Sequence, residues 1–106
     1  MSKLIKDQSP FLYLLMSEKT PKTQITAILK TISKDQLNAL TEITYNLLKG
    51  HIPLSDLQKK SLKKHARKLR ILSKPKGSLK SRKEVLTPAL VVLLLRIVGP
   101  VLKQVT

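Results

Sequence analysis

The chain contains no cysteine, which excludes disulfides, thiolate metal sites and cysteine nucleophiles. It also contains no tryptophan, and its only aromatic residues are Phe11, Tyr13 and Tyr45. A hydrophobic core must therefore be aliphatic and built from Leu, Ile and Val. With 106 residues, the chain has room for one small domain and little room for a deep active-site cleft.

The sequence also lacks the groupings that catalysis and metal binding need. His51 and His65 are the only histidines, and without cysteine or an acidic cluster they cannot complete a four-ligand zinc site. The six acidic residues are spread singly, so they offer no carboxylate pair for acid–base chemistry. The three glycines do not form a phosphate-binding loop. We therefore expect a protein that is not an enzyme and that uses no cofactor.

The stretch from Leu57 to Lys83 contains no Asp or Glu, and the whole chain carries a net charge of +15. Such a charge on a small domain opposes folding by self-repulsion, and a bound phosphate backbone would convert it into affinity. We therefore predict a nucleic-acid-binding segment between Leu57 and Lys83. Its twelve candidate residues are Lys59, Lys60, Lys63, Lys64, Arg67, Lys68, Arg70, Lys74, Lys76, Lys80, Arg82 and Lys83.

The residue types in this segment favour contact with a duplex backbone. Nine of the twelve cations are lysines, whereas reading of base edges favours Arg, Asn and Gln. The segment has no aromatic residue, which counts against recognition of single strands by base stacking. Double-stranded DNA is the expected partner, with RNA left open. A solvated helix face or a nuclear import signal is the alternative interpretation of this charge run.

Apolar residues recur at spacings of three and four along most of the chain, which predicts an all-α protein. We expect a small bundle of about four to six short helices, in which Gly50 follows the end of one helix and Gly99 and Pro100 end or kink the last one. The predicted helix starts are Ser9-Pro10, Thr20-Pro21, the capping boxes Ser33/Gln36 and Ser55/Gln58, and Thr87-Pro88.

Composition divides the chain into three regions within one domain. Residues 1–50 are amphipathic, and the stripe from Leu37 to Leu48 is their clearest apolar face. Residues 51–86 hold the basic segment, predicted as one helix from Asp56 to Leu72 and a short helix from Leu79 to Leu86. Residues 87–106 form an apolar helix and tail. The order of the helices at Leu37–Lys49 and Asp56–Leu72 also resembles a helix-turn-helix, which is a further alternative.

The apolar helix, Ala89 to Leu102, has three alternative roles. The first alternative is a core helix, and the second is a self-association surface in a homo-oligomer. The third is a helix that, together with the neighbouring basic segment, contacts an anionic membrane. Its apolar run is shorter than the roughly 20 residues that a membrane span needs.

The apolar run from Phe11 to Met16 lacks the small-residue cleavage site of a signal peptide. We therefore expect the chain not to be secreted.

The second half of the chain resembles a known group of small basic proteins. The matching features are Leu-Leu-x-Gly-x-x-Pro-Leu at Leu47 to Leu54, the Lys-rich helix, Ser-Leu-Lys-x-(Arg/Lys)-(Arg/Lys) at Ser78 to Lys83, and the apolar C-terminus. In these features it is similar to the basic proteins of Maverick/Polinton elements and adintoviruses, which resemble in character the adenovirus minor core peptide, protein X. The stretch from Glu84 to Pro88 departs from the glycine-rich, Phe-containing sequence of that group.

The resemblance implies a viral or mobile-element core protein that condenses double-stranded DNA in a virion or nucleus. Two other classes of function stay open on the residues alone. One is a membrane-active or membrane-associated amphipathic protein. The other is a helical module that docks on an acidic protein, or a helix-turn-helix DNA-binding regulator.

Overall fold

The three-and-four spacing of apolar residues produces helices throughout residues 2–105, which are the residues that the computed structural model describes. The all-α prediction is confirmed. Within the described residues there are eight helices, more than the four to six that we expected. They are α1 (Lys3–Asp7), α2 (Ser9–Met16), α3 (Lys22–Lys30), α4 (Lys34–Leu48), α5 (Asp56–Lys63), α6 (Ala66–Leu72), α7 (Leu79–Glu84) and α8 (Pro88–Val105).

One of the additional helices is α1, which we did not predict. Its N-cap is Ser2, whose hydroxyl oxygen accepts a hydrogen bond from the backbone N–H of Ile5. The same hydroxyl donates to Oε2 of Glu42 on α4 at 2.6 Å. Ile5 itself is fully buried. Tertiary contacts therefore stabilise a five-residue helix that would be unstable alone.

The other additional helix comes from a break in the predicted basic helix. The expectation of one helix from Asp56 to Leu72 is wrong, because the backbone leaves the helical region at His65, where φ is −109° and ψ is 14°. The break lets the two halves pack against different partners. Helix α5 lies against α8, whereas α6 lies against α4 and α7. Leu62 on one side of the break and Leu69 on the other are both buried.

Two long helices organise the packing. Helix α8 contacts α2, α3 and α5, and helix α4 contacts α1, α6 and α7. The link between α1 and α2 joins the two groups. Apolar residues from all three regions of the sequence join one continuous core. The radius of gyration is 12.6 Å, close to the roughly 13 Å expected for a folded chain of this length.

The apolar C-terminal segment lies in this core. Six of its side chains are buried: Leu90, Val91, Leu94, Leu95, Val98 and Leu102. Among the described residues, no helix is both long and apolar enough to span a membrane.

Of the two predicted effects of Gly99 and Pro100, an end of the helix is wrong, because α8 continues to Val105 with Pro100 inside it. Proline removes one helical hydrogen bond, but the buried residues Val98 and Leu102 hold the helix on both sides of it. Gly99 lies at a close approach between α8 and α2. A Cβ atom at this position would lie 3.2 Å from Sδ of Met16.

Local capping signals were predicted correctly at several helix ends. Both capping boxes, Ser33/Gln36 and Ser55/Gln58, are present. The Thr87 hydroxyl accepts a hydrogen bond from the Leu90 N–H at the start of α8. Gly50 follows α4 with a positive φ of 78°, which favours glycine. The His51 N–H then bonds to the Asn46 carbonyl, which completes a Schellman motif.

Two other predicted caps are wrong. Ser9 lies inside α2, whose N-cap is Gln8, because the chain passes almost directly from α1 into α2. Thr20 is not the N-cap of α3, which is Pro21. The Thr20 hydroxyl instead donates to the Leu14 carbonyl of α2 at 2.7 Å. Leu48, at the end of the apolar stripe of α4, is 46% exposed.

The position of α8 in the core predicts a large effect of truncating one of its buried leucines. Leu94→Ala should lower the free energy of unfolding by about 2–5 kcal/mol, because Leu94 is fully buried and the substitution leaves a cavity. Urea denaturation followed by circular dichroism measures this change. The control is Leu57→Ala, which should change stability by less than about 0.5 kcal/mol, since Leu57 is 78% exposed. Equal effects would contradict the burial of Leu94 in the core.

Candidate nucleic-acid interface

The basic segment begins on α5, which presents lysines to solvent. A capping box at Ser55 fixes the start of the helix, and Leu62 is its one buried residue. Lys59, Lys60 and Lys63 are all exposed. Because Leu62 faces the core and the lysines do not, α5 offers cations to a partner without disturbing its own packing.

The cations continue on α6 and in the turn that follows. Arg67 and Arg70 are exposed, and Lys68 is half-buried. Leu69 and Leu72 are buried and anchor α6 against α4. Lys64 lies in the break between α5 and α6 and is also exposed.

The connection from α6 to α7 is a hydrogen-bonded turn. The Gly77 N–H donates to the Lys74 carbonyl at 3.0 Å, so residues 74–77 close a four-residue turn. Pro75 occupies the second position, which its fixed φ favours. Lys74 and Lys76 occupy the first and third positions, and both are exposed. Their backbone is thus fixed while their side chains remain in solvent.

Arg82 differs from the other eleven predicted binding residues because it is buried, with 3% of its surface exposed. Its Nη1 donates to Oδ1 of Asn38 and to Oγ1 of Thr41, both at 2.9 Å. Its Nε has no hydrogen-bond partner among the described residues. Arg82 is therefore not presented to solvent with the other predicted binding residues. Its neighbours Lys80 and Lys83 on α7 are exposed.

The fold also brings cations from outside the basic segment to this surface. Lys30, at the end of α3, lines a groove of about 580 Å³ together with Lys80 and Lys83 of α7. Glu84 lines the same groove, so it is less positive than the lysines alone would make it. Lys30 was not among the predicted binding residues, because nothing in the sequence indicates that α3 lies beside α7.

A second groove, of about 700 Å³, lies between the end of α4 and the turn at residues 73–77. Tyr45, Leu48 and Lys49 form one wall, and Lys74 and Lys76 lie on the other. Tyr45 is 40% exposed, and the Lys49 ammonium lies 5.6 Å from the centre of its ring. The sequence interpretation missed Tyr45 and Lys49. The four-residue spacing between them was the one available signal, since it places both on one face of a helix.

The helix-turn-helix layout is not formed as predicted. Its second helix, Asp56–Leu72, is interrupted at His65 and becomes two helices of 8 and 7 residues. In that motif a continuous recognition helix would enter the major groove. The exposed cations here instead extend over several short helices.

Comparison with known proteins gives no further assignment. No protein-family model matches the chain, and neither a curated protein nor a solved structure matches it. The assignment of the candidate interface therefore rests on the charge and exposure of its own residues.

The burial of Arg82 predicts that it contributes to stability. Arg82→Ala should lower the free energy of unfolding by about 1–3 kcal/mol, because it leaves the side chains of Asn38 and Thr41 without their partner. Urea denaturation provides the measurement. The matched control is Lys83→Ala, which removes the same charge from the next, exposed position and should change stability by less than about 0.5 kcal/mol. A similar loss in both variants would show that Arg82 has no special structural role.

Proposed function

We propose that this chain is a non-enzymatic protein that binds and condenses double-stranded DNA with little sequence specificity. The proposed surface comprises the exposed and half-buried cations of the basic segment. Its residues are Lys59, Lys60, Lys63, Lys64, Arg67, Lys68, Arg70, Lys74, Lys76, Lys80 and Lys83.

The observation that carries this proposal is the exposure of these side chains. Of the twelve predicted residues, ten are exposed, Lys68 is half-buried and Arg82 is buried. The helices that carry them are anchored by apolar residues such as Leu62 and Leu69. Folding therefore leaves these positive charges in solvent, which is the property that binding to a phosphate backbone uses.

The residue types support low specificity. Lysine is a hydrated point charge that contacts phosphates, whereas base-specific contacts are most often made by Arg, Asn and Gln. Only Arg67 and Arg70 remain as exposed arginines in the segment. If binding neutralises about six phosphates, the logarithm of affinity should fall with the logarithm of salt concentration with a slope of about −5.

A role in packaging the genome of a virus or mobile element is part of the same proposal. It is supported by the resemblance of residues 46–86 to small basic core proteins and by the charge of the segment. Such a role places the protein in the virion or the nucleus. Membrane insertion is the weaker candidate, because six apolar side chains of α8 are already buried in the core.

The test is the affinity for two duplexes of unrelated sequence, measured by fluorescence anisotropy across a salt series. The variant replaces Lys60, Lys63, Lys64 and Arg67 with Gln, which is also a good helix former. Binding to both duplexes should weaken by a similar factor. The salt slope should change from about −5 to about −2, since about two of the six phosphate contacts remain and each contributes about 0.9.

The matched control removes the same amount of charge from other exposed positions. Its substitutions are Lys3, Lys19, Lys34 and Lys103 to Gln, all outside the proposed surface. This control should keep most of the affinity and the steep salt slope. Equal losses in the two variants would overturn the assignment of the surface. Leakage of anionic vesicles with weak duplex binding would instead favour the membrane role.

A further inference from the structure

The groove between α4 and the turn at residues 73–77 combines features that the basic segment alone does not have. At about 700 Å³ it falls within the range of roughly 300–1,000 Å³ typical of sites for small ligands. One wall carries an exposed aromatic ring, Tyr45, and the opposite wall carries Lys74 and Lys76. The segment itself has no aromatic residue, so folding supplies the ring from α4.

The tyrosine ring is available to a ligand. It is 40% exposed, and the Lys49 ammonium lies 5.6 Å from the ring centre. An exposed cation–π contact of this kind is weak, so an incoming planar group can displace the ammonium. Lys49 is itself exposed, so its ammonium is accessible to an anion.

The charge around the groove selects for an anionic ligand. Lys49, Lys74 and Lys76 line it, and none of the described residues in its lining is acidic. A ligand that has both a flat ring and a phosphate on each side of it would use the tyrosine and the lysines together. A nucleotide within a single strand has this chemistry, because its base can stack while its flanking phosphates contact cations.

We propose that this groove binds an unpaired nucleotide of a nucleic acid, with its base stacked on Tyr45 and its phosphates on Lys74 and Lys76. Stacking on an aromatic ring tolerates every base, so the groove adds affinity for single-stranded or frayed regions without adding sequence specificity. This inference rests on the proposed function, since it makes the groove a second part of the same polyanion-binding surface.

The experiment compares single-stranded and duplex DNA with the full chain. Fluorescence anisotropy measures the affinity for a labelled oligothymidylate and for a labelled duplex. Tyr45→Ala should weaken binding of the oligothymidylate by about 5- to 150-fold, the range for loss of one stacked base, and should change duplex affinity less than about twofold. Tyr45→Phe keeps the ring and should keep single-strand affinity.

Intrinsic fluorescence gives a direct reading of the stacking. The chain has no tryptophan, and Tyr13 and Tyr45 are its only tyrosines. In a Tyr13→Phe variant, all tyrosine emission comes from Tyr45. Unlabelled oligothymidylate should quench this emission, and replacing Lys74 and Lys76 with Gln should shift the quenching to higher nucleotide concentration.

The outcomes separate this inference from the proposed function. Unchanged duplex binding together with a selective loss of single-strand binding in Tyr45→Ala supports the groove. If Tyr45→Ala binds each DNA as tightly as the parent chain does, the proposed nucleotide site in the groove is overturned. The proposal of duplex binding is then unaffected. Failure of the parent chain to bind either DNA overturns both proposals. Quenching of Tyr45 by polyglutamate without quenching by oligothymidylate would assign the groove to an acidic peptide instead.

Discussion

Burial of α8 is the interaction on which the arrangement of the other helices depends. Its inward side chains lie in the core, where the helix contacts α2, α3 and α5. With only three aromatic residues in the chain, this aliphatic surface supplies much of the apolar area that opposes the repulsion of a +15 charge. The second long helix, α4, holds α1, α6 and α7 in the same way.

The basic segment stays folded because its leucines and its cations have separate roles. Each of α5 and α6 contributes one or two leucines to the core and leaves its cations in solvent. The break at His65 lets α5 reach α8 while α6 reaches α4. A straight helix would direct both halves along one line, so the break allows both of these contacts to form. The exposed charge therefore follows from the packing of a few leucines.

Features set by neighbouring residues were predictable from the sequence, whereas features set by tertiary contacts were not. The capping boxes at Ser33 and Ser55 depend on residues three positions apart, and both were predicted. Arg82 could not be distinguished from Lys83, because only the docking of α7 on α4 decides which side chain is buried. The groove at Tyr45 likewise forms only when α6 packs on α4 and carries the turn with it. Prediction from the sequence therefore extended to most helices, but not to the burial of Arg82 or to the grooves beside the basic segment.

Arg82 links the stability of the fold to the geometry of the groove. Its partners Asn38 and Thr41 lie three residues apart on one face of α4. Tyr45, four residues after Thr41, lies on the same face. The buried guanidinium thus holds α7 against the same stripe of α4 that carries the aromatic ring. Because α6 and α7 also contact each other, the turn that joins them has a fixed position relative to Tyr45. The buried Arg82 therefore helps to hold the two walls of the groove in place. One wall carries Tyr45, and the other carries Lys74 and Lys76.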